Sequence, residues 1–243
     1  MNLQRDTWSS ADYDAFVKEL HTYADLEYRK FHHSLVPDTE LSMYIGVRTP
    51  DMRMLAREIS KGNAREFLAV AKSDFYEERI IRFMVTGRIR PRDFNDLLAL
   101  QEAQLPLINS WALNDSFCVN MKNIKKFRQP YFDYLKNDLI QRGDPWMTRA
   151  ALIMMLNFYL DDEYIDEVLR LADSVNSDEY YVQMGQAWLI ATALAKCRDK
   201  AMAYMDSGTN MSDAAFNKTI QKAIESRRVS DEDKAHLRAL KRK

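Results

Sequence analysis

The chain is poor in the residues that bend a backbone. It has six glycines and six prolines in 243 positions, where average proteins carry roughly 7% and 5% of each. Few positions can take a positive φ or close the tight turns between short strands. An all-β sandwich, a Rossmann fold with its glycine fingerprint and a collagenous or disordered chain are thereby excluded. Two cysteines, Cys118 and Cys197, are too few for a disulfide framework. No apolar run approaches the roughly 18 residues of a spanning helix, and the first residues lack the basic-then-apolar order of a secretory leader. The expectation is a soluble, cytoplasmic protein with no membrane partner.

Metal-ligating chemistry is also scarce. Of four histidines, His32 and His33 are adjacent and project about 100° apart on a helix, while His21 and His236 stand alone. All four read as solvated surface, and no metal is expected. There is no Walker glycine loop and no HExxH, and no cofactor is expected.

What the chain does have is helical periodicity. After Thr49-Pro50, read as an N-cap followed by proline in the first turn, Met52, Leu55, Ala56 and Ile59 recur at helical spacing, and Gly62 reads as a stop. The same pattern follows Pro91, Pro130 and Asp144-Pro145. Further helices are expected over about 12–32, 74–88, 107–125, 162–173, 178–196, 211–226 and 231–241, and no alternating strand pattern occurs. Pro50, Pro91 and Pro130 lie 41 and 39 residues apart, near the roughly 40–47-residue period of paired-helix repeats. The reading is all-α: one helical-repeat domain over 1–243, a HEAT-like curved array whose concave face binds.

The formal net charge of -1 disfavours a polyanionic partner until it is resolved along the chain. Residues 48–92 hold eleven Lys/Arg against six acids, 121–149 seven against three and 218–243 nine against four, whereas 160–180 hold eight acids and one arginine. Basic segments offset by one acidic helix permit an anionic ligand on one face. Each segment taken singly reads equally as a solvated helix surface. Glu77 and Glu78 read as helix-surface partners of neighbouring arginines, the methionines as plastic core filler, and Cys118 as a buried thiol with no activating base.

The segment Ser110-Trp111-Ala112-Leu113-Asn114-Asp115 carries the most specific chemistry. On a helix Trp111 and Asp115 share a face. An indole and a carboxylate around one small volume suit a substrate that is cationic and gains positive charge as it reacts. Alone, the pair reads more readily as a packed tryptophan and a solvated or capping aspartate.

Further strings add to it: Gly46-Val47-Arg48-Thr49-Pro50-Asp51-Met52-Arg53-Met54-Leu55, Trp146 with Arg149-Ala150-Ala151, and Tyr180-Tyr181 followed by Trp188. In this order the chain resembles the DNA alkylation repair family of AlkD-type alkylpurine DNA glycosylases over about residues 13–228. The resemblance implies a HEAT-like fold that holds alkylated duplex DNA on a basic concave face and hydrolyses the N-glycosidic bond of cationic N3- or N7-alkylated purines. It makes Asp115, Trp111 and Trp188 catalytic and brings Arg149 to the DNA near the lesion. Lys122, Lys125, Lys126 and Arg128 are the basic cluster expected to help bind DNA.

No Schiff-base lysine can be identified, so a monofunctional enzyme is expected; the expected state is a monomer. The chain departs from the family pattern at Met184 and Ala191, where basic residues are common, which predicts weaker phosphate contact. The alternative is a non-catalytic helical-repeat member that binds nucleic acid or protein.

Overall fold

The computed structural model describes residues 2–37 and 39–243. Among them are fourteen α-helices, linked by loops and short 3-10 turns, and no strand. The chain packs as two compact units, residues 1–128 and 129–243.

The first unit contains α1 (Ser10–His21), α2 (Leu26–Ser34), α3 (Thr49–Ile59), α4 (Ala64–Val70), α5 (Tyr76–Thr86), α6 (Phe94–Glu102) and α7 (Trp111–Asn120). Helix α3 packs on α5 and α5 on α7, while α4 lies against α1 and α5. One end of its core is aromatic: Trp8, Tyr13, Phe16 and Phe67 are buried, with Phe67 5.1 Å from Trp8 and 5.6 Å from Phe16, edge to face. The other end joins α5 to α7 through Phe83 and Phe117, 5.5 Å apart.

The second unit contains α8 (Arg128–Asn137), α9 (Pro145–Phe158), α10 (Ile165–Ser174), α11 (Tyr180–Lys196), α12 (Arg198–Asp206), α13 (Asp213–Glu225) and α14 (Asp231–Ala239). Its row is α9 on α11 on α13, with α10 and α12 packed together against α11. Helices α9 and α11 bury residues on most of their faces, so neither shows a clean apolar stripe.

Within the two units the helix starts recur along the chain at a near-constant spacing. Helices α5, α7, α9, α11 and α13 start 35, 34, 35 and 33 residues apart. The prolines mark a different register. Pro50 opens α3, Pro91 precedes α6 and Pro130 lies inside the first turn of α8, so they do not stand at equivalent places.

Local differences from the sequence reading have local causes. The stretch 12–32 is two helices, because Asp25 turns its carboxylate to the Tyr28 N–H and caps α2. Thr49 is the first residue of α3 rather than its cap, and Arg48 holds the cap position with no side-chain hydrogen bond. Helix α3 ends at Ile59, with Ser60 rather than Gly62 as its C-cap, and the Asn63 side chain then accepts from the Arg65 and Glu66 N–H groups and starts α4.

Candidate active site

Helix α7 begins at Trp111 because Ser110 caps it, its hydroxyl accepting from the Leu113 N–H. Below the first turn Leu113, Asn114, Phe117 and Cys118 are buried, which anchors the helix and leaves Trp111 and Asp115 half-buried on the remaining face. Cys118 is a buried thiol beside Asn114, 3.7 Å from its Oδ1. The Trp111 indole is oriented by a bond that leaves no trace in side-chain sequence: its Nε1–H donates to the Leu35 carbonyl, 3.1 Å away. Leu35 is the C-cap of α2, whose outward-pointing carbonyls need donors.

An aromatic cluster backs this arrangement. Tyr44 and Tyr76 stack at 4.9 Å, His32 packs 4.8 Å from Tyr76 and stacks on Tyr28, and His33 Nε2 donates to the Thr39 carbonyl. These two histidines are half-buried packing residues and not solvated surface. Burial, with His33 beside it, holds the His32 imidazole below its usual pKa. The Tyr76 phenol is pushed well above the usual range, first by burial and then by Tyr44, Glu77, Tyr28 and Asp115, so the Asp115 carboxylate and Tyr76 feel one another. The cavity bordered by Tyr44, Tyr76, Arg79 and Ser110 has room for about one water and cannot admit a purine.

The Gly46-Val47-Arg48 string is held by a residue read as surface. Glu77 is buried, and its carboxylate accepts the N–H groups of Ile45 (2.9 Å), Gly46 (2.7 Å) and Val47 (3.2 Å). Burial raises its pKa and these bonds oppose the rise. Glu78 is buried too, accepting from the Tyr13 hydroxyl and the Phe75 N–H, each at 2.7 Å. Both reach inward across α5 rather than pairing along its surface. Gly46 itself has φ +100°, and a Cβ there would lie 2.6 Å from the Asp25 carbonyl, so only glycine fits. Arg48 projects out, bound to Asp25 at 2.7 Å with its guanidinium 4.8 Å from the Tyr28 ring.

The other expected site residues fall as follows. Lys122, Lys125 and Lys126 are exposed on a 3-10 turn, Lys122–Phe127, and Arg128 is half-buried at the start of α8. In the second unit, Trp188 is 38% exposed on α11. Arg149 of α9 is only 4% exposed, and its Nη1 donates to the Tyr181 carbonyl at 2.7 Å, beside Trp146 stacked on Tyr181 at 5.3 Å. That guanidinium ties α9 to the first turn of α11. Met184 is half-buried and Ala191 buried. Among the described residues no cluster of His, Cys, Asp and Glu could hold a metal ion, and no helix is long and apolar enough to cross a membrane.

Packed helices, one of them carrying an oriented indole one turn from a half-buried carboxylate, define the class: an all-helical repeat protein. The family model described as DNA alkylation repair enzyme matches residues 16–226, and the chain belongs to that family. Neither a curated protein nor a solved structure matches it.

Proposed function

We propose that the protein is a monofunctional DNA glycosylase that releases cationic N3- or N7-alkylated purines from duplex DNA. The observation that carries this reading is the α7 face, where Trp111 is pinned through its indole N–H and Asp115 follows one helical turn later. An N-alkylated purine is already a cationic leaving group, so no general acid is required to protonate it. What remains is to stabilise the positive charge that grows on the sugar and to position a water. The Asp115 carboxylate serves both needs, and the Trp111 ring offers its negative face to the same cation. A cavity beside the site too small for a purine fits a reaction in which the base is not drawn into a pocket, unlike base-flipping glycosylases.

Trp188 joins this reading through the family resemblance, as an aromatic surface for the sugar. Lys122, Lys125, Lys126 and Arg128 are proposed to meet phosphates, and Arg149 to support the site by fixing the start of α11. In this reading residues 1–243 serve as one repeat domain, monomeric and in need of no cofactor, because the substrate supplies its own activating charge.

The test is release of methylpurine from methylated duplex DNA. Asp115→Asn, nearly isosteric, is expected to lower the single-turnover rate by about 100-fold or more, the scale of removing one preorganised electrostatic group, with the thermal transition unchanged. A wild-type rate in this variant would remove Asp115 from the mechanism. The buried Arg149, not extended toward a ligand, favours a second reading: a member that binds DNA without cutting the glycosidic bond. DNA binding without release of any alkylated base would decide for it.

A further inference from the structure

We propose that Lys222 and Arg228 form a phosphate seat in a groove walled by Trp188, through which the second unit grips one phosphodiester of a DNA strand. The proposal rests on the reading that Trp188 faces DNA, and it names the groups that hold the backbone there.

The groove follows from two helix faces. On α11, Trp188, Ala191, Thr192 and Ala195 recur at three, four and seven residues and line it together. The facing wall comes from α13, which packs directly on α11: Lys222, Glu225 and Ser226 recur at the same spacing, and Arg228 follows just beyond the helix. The Ala191 methyl group is buried and leaves the α11 wall low and without charge. The positive charge absent from that wall is present on the opposite one.

The state of these charges points to an anion. Among the described residues neither Lys222 nor Arg228 has an ion-pair partner, although Glu225 lines the same groove. The Glu225 carboxylate is instead engaged by the Gln221 Nε2 at 2.9 Å. Elsewhere in this unit, Lys136 and Arg170 bind Glu167, Lys200 binds Asp166 and Arg198 binds Asp233. Two unpaired cations beside an exposed indole combine the two groups that hold a nucleic-acid strand: a charge for the phosphate and a flat apolar surface for the sugar or base. Of the two groove hydroxyls, Thr192 donates to the Trp188 carbonyl at 2.7 Å, whereas Ser226 Oγ accepts the Arg228 N–H at 3.2 Å and keeps its own proton to donate. Glu225 repels an anion, so its charge opposes binding, and this gives the proposal a test in both directions.

The experiment is titration of undamaged duplex DNA with the whole protein, followed by fluorescence anisotropy across a range of salt concentrations. If the pair holds one phosphate, Lys222→Gln/Arg228→Gln should lower the slope of log affinity against log salt by about 0.9. Affinity at low salt should fall roughly tenfold, as expected for loss of a charge-assisted contact. Glu225→Gln should tighten binding, and Lys200→Gln, in which the lost cation is paired elsewhere, should leave the slope unchanged. An unchanged slope in the double variant overturns the proposal, as does an equal loss in Lys200→Gln. Base release is scored separately. Release without slope loss sinks the phosphate seat and leaves the glycosylase reading intact, whereas slope loss without release does the reverse.

Discussion

Gly87 shows how one missing side chain sets the position of the candidate catalytic helix. It caps α5 with an ordinary negative φ, so the requirement is for space. A Cβ there would lie 2.0 Å from the Asn120 carbonyl oxygen and 2.7 Å from its carbon. Asn120 is the last residue of α7, and backbone cannot swing aside as a side chain can. Gly87→Ala is expected to destabilise the protein by about 3 kcal/mol, the upper range for overpacking. That corresponds to a transition lowered by roughly 6–12 °C for a chain of this size, measured by circular dichroism. The same shift of α7 would move Trp111 off the Leu35 carbonyl. Other residues at this scale were hidden from sequence. Glu77-Glu78 before Arg79 and Arg82 reads as a charged helix surface, yet both glutamates are buried, because the N–H groups of the 45–47 loop reach Glu77 and the Tyr13 hydroxyl reaches Glu78.

 The donors that decide this come from residues 30 to 65 positions away, which no local pattern records.

At the scale of elements, Asp96 joins three segments. Its carboxylate takes both Arg65 nitrogens, at 3.0 and 2.6 Å, and the Arg92 N–H and guanidinium, at 2.8 and 2.9 Å. This ties α4 and the loop before α6 to α6 itself. Hydrogen bonds from Arg65 and Arg92 hold its pKa far below the usual carboxylate range. A carboxyl depressed in the folded state stabilises fully above its unfolded value of about 3.9, and that contribution fades as the pH falls from there toward the depressed value. Asp96→Asn is therefore expected to cost about 1–2 kcal/mol at neutral pH, less than a fully buried pair because both arginines are partly exposed. The gap from wild type should narrow steadily below pH 4 in urea melts taken across the acid range, and a gap independent of pH would refute this account.

Most helices were legible at this scale, because proline-led starts and apolar residues at three and four positions describe a helix whatever it packs against. Helices α4 and α12 were not. The first is only seven residues long, and the second has no side-chain cap and a weak apolar stripe.

For the whole molecule, the net charge of -1 conceals how the charges are spent. Acids of the 160–180 stretch are engaged within their own unit: Glu167 with Arg170 and Lys136, Asp166 with Lys200, and Asp173 with Tyr204 and Asn210. Lys122, Lys125 and Lys126 remain exposed on the 3-10 turn, available to a polyanion. If all three meet phosphates, their joint replacement by glutamine should reduce the salt slope of DNA binding by about 2.7, with the melting transition unchanged. A slope equal to wild type would mean that these lysines are solvated surface.

The order of residues by itself determined that the chain is helical, that Trp111 and Asp115 share a helix face, and that its charge is divided into segments. Each is a property of short-range spacing, which the 3.6-residue turn converts directly into geometry. Only the tertiary structure decided that a backbone carbonyl at Leu35 orients the Trp111 indole, that Glu77 is a buried anchor, and that Lys222 and Arg228 face Trp188 across a groove. Those outcomes depend on which helix faces pack together, and packing joins residues by shape and unsatisfied hydrogen bonds rather than by their distance along the chain.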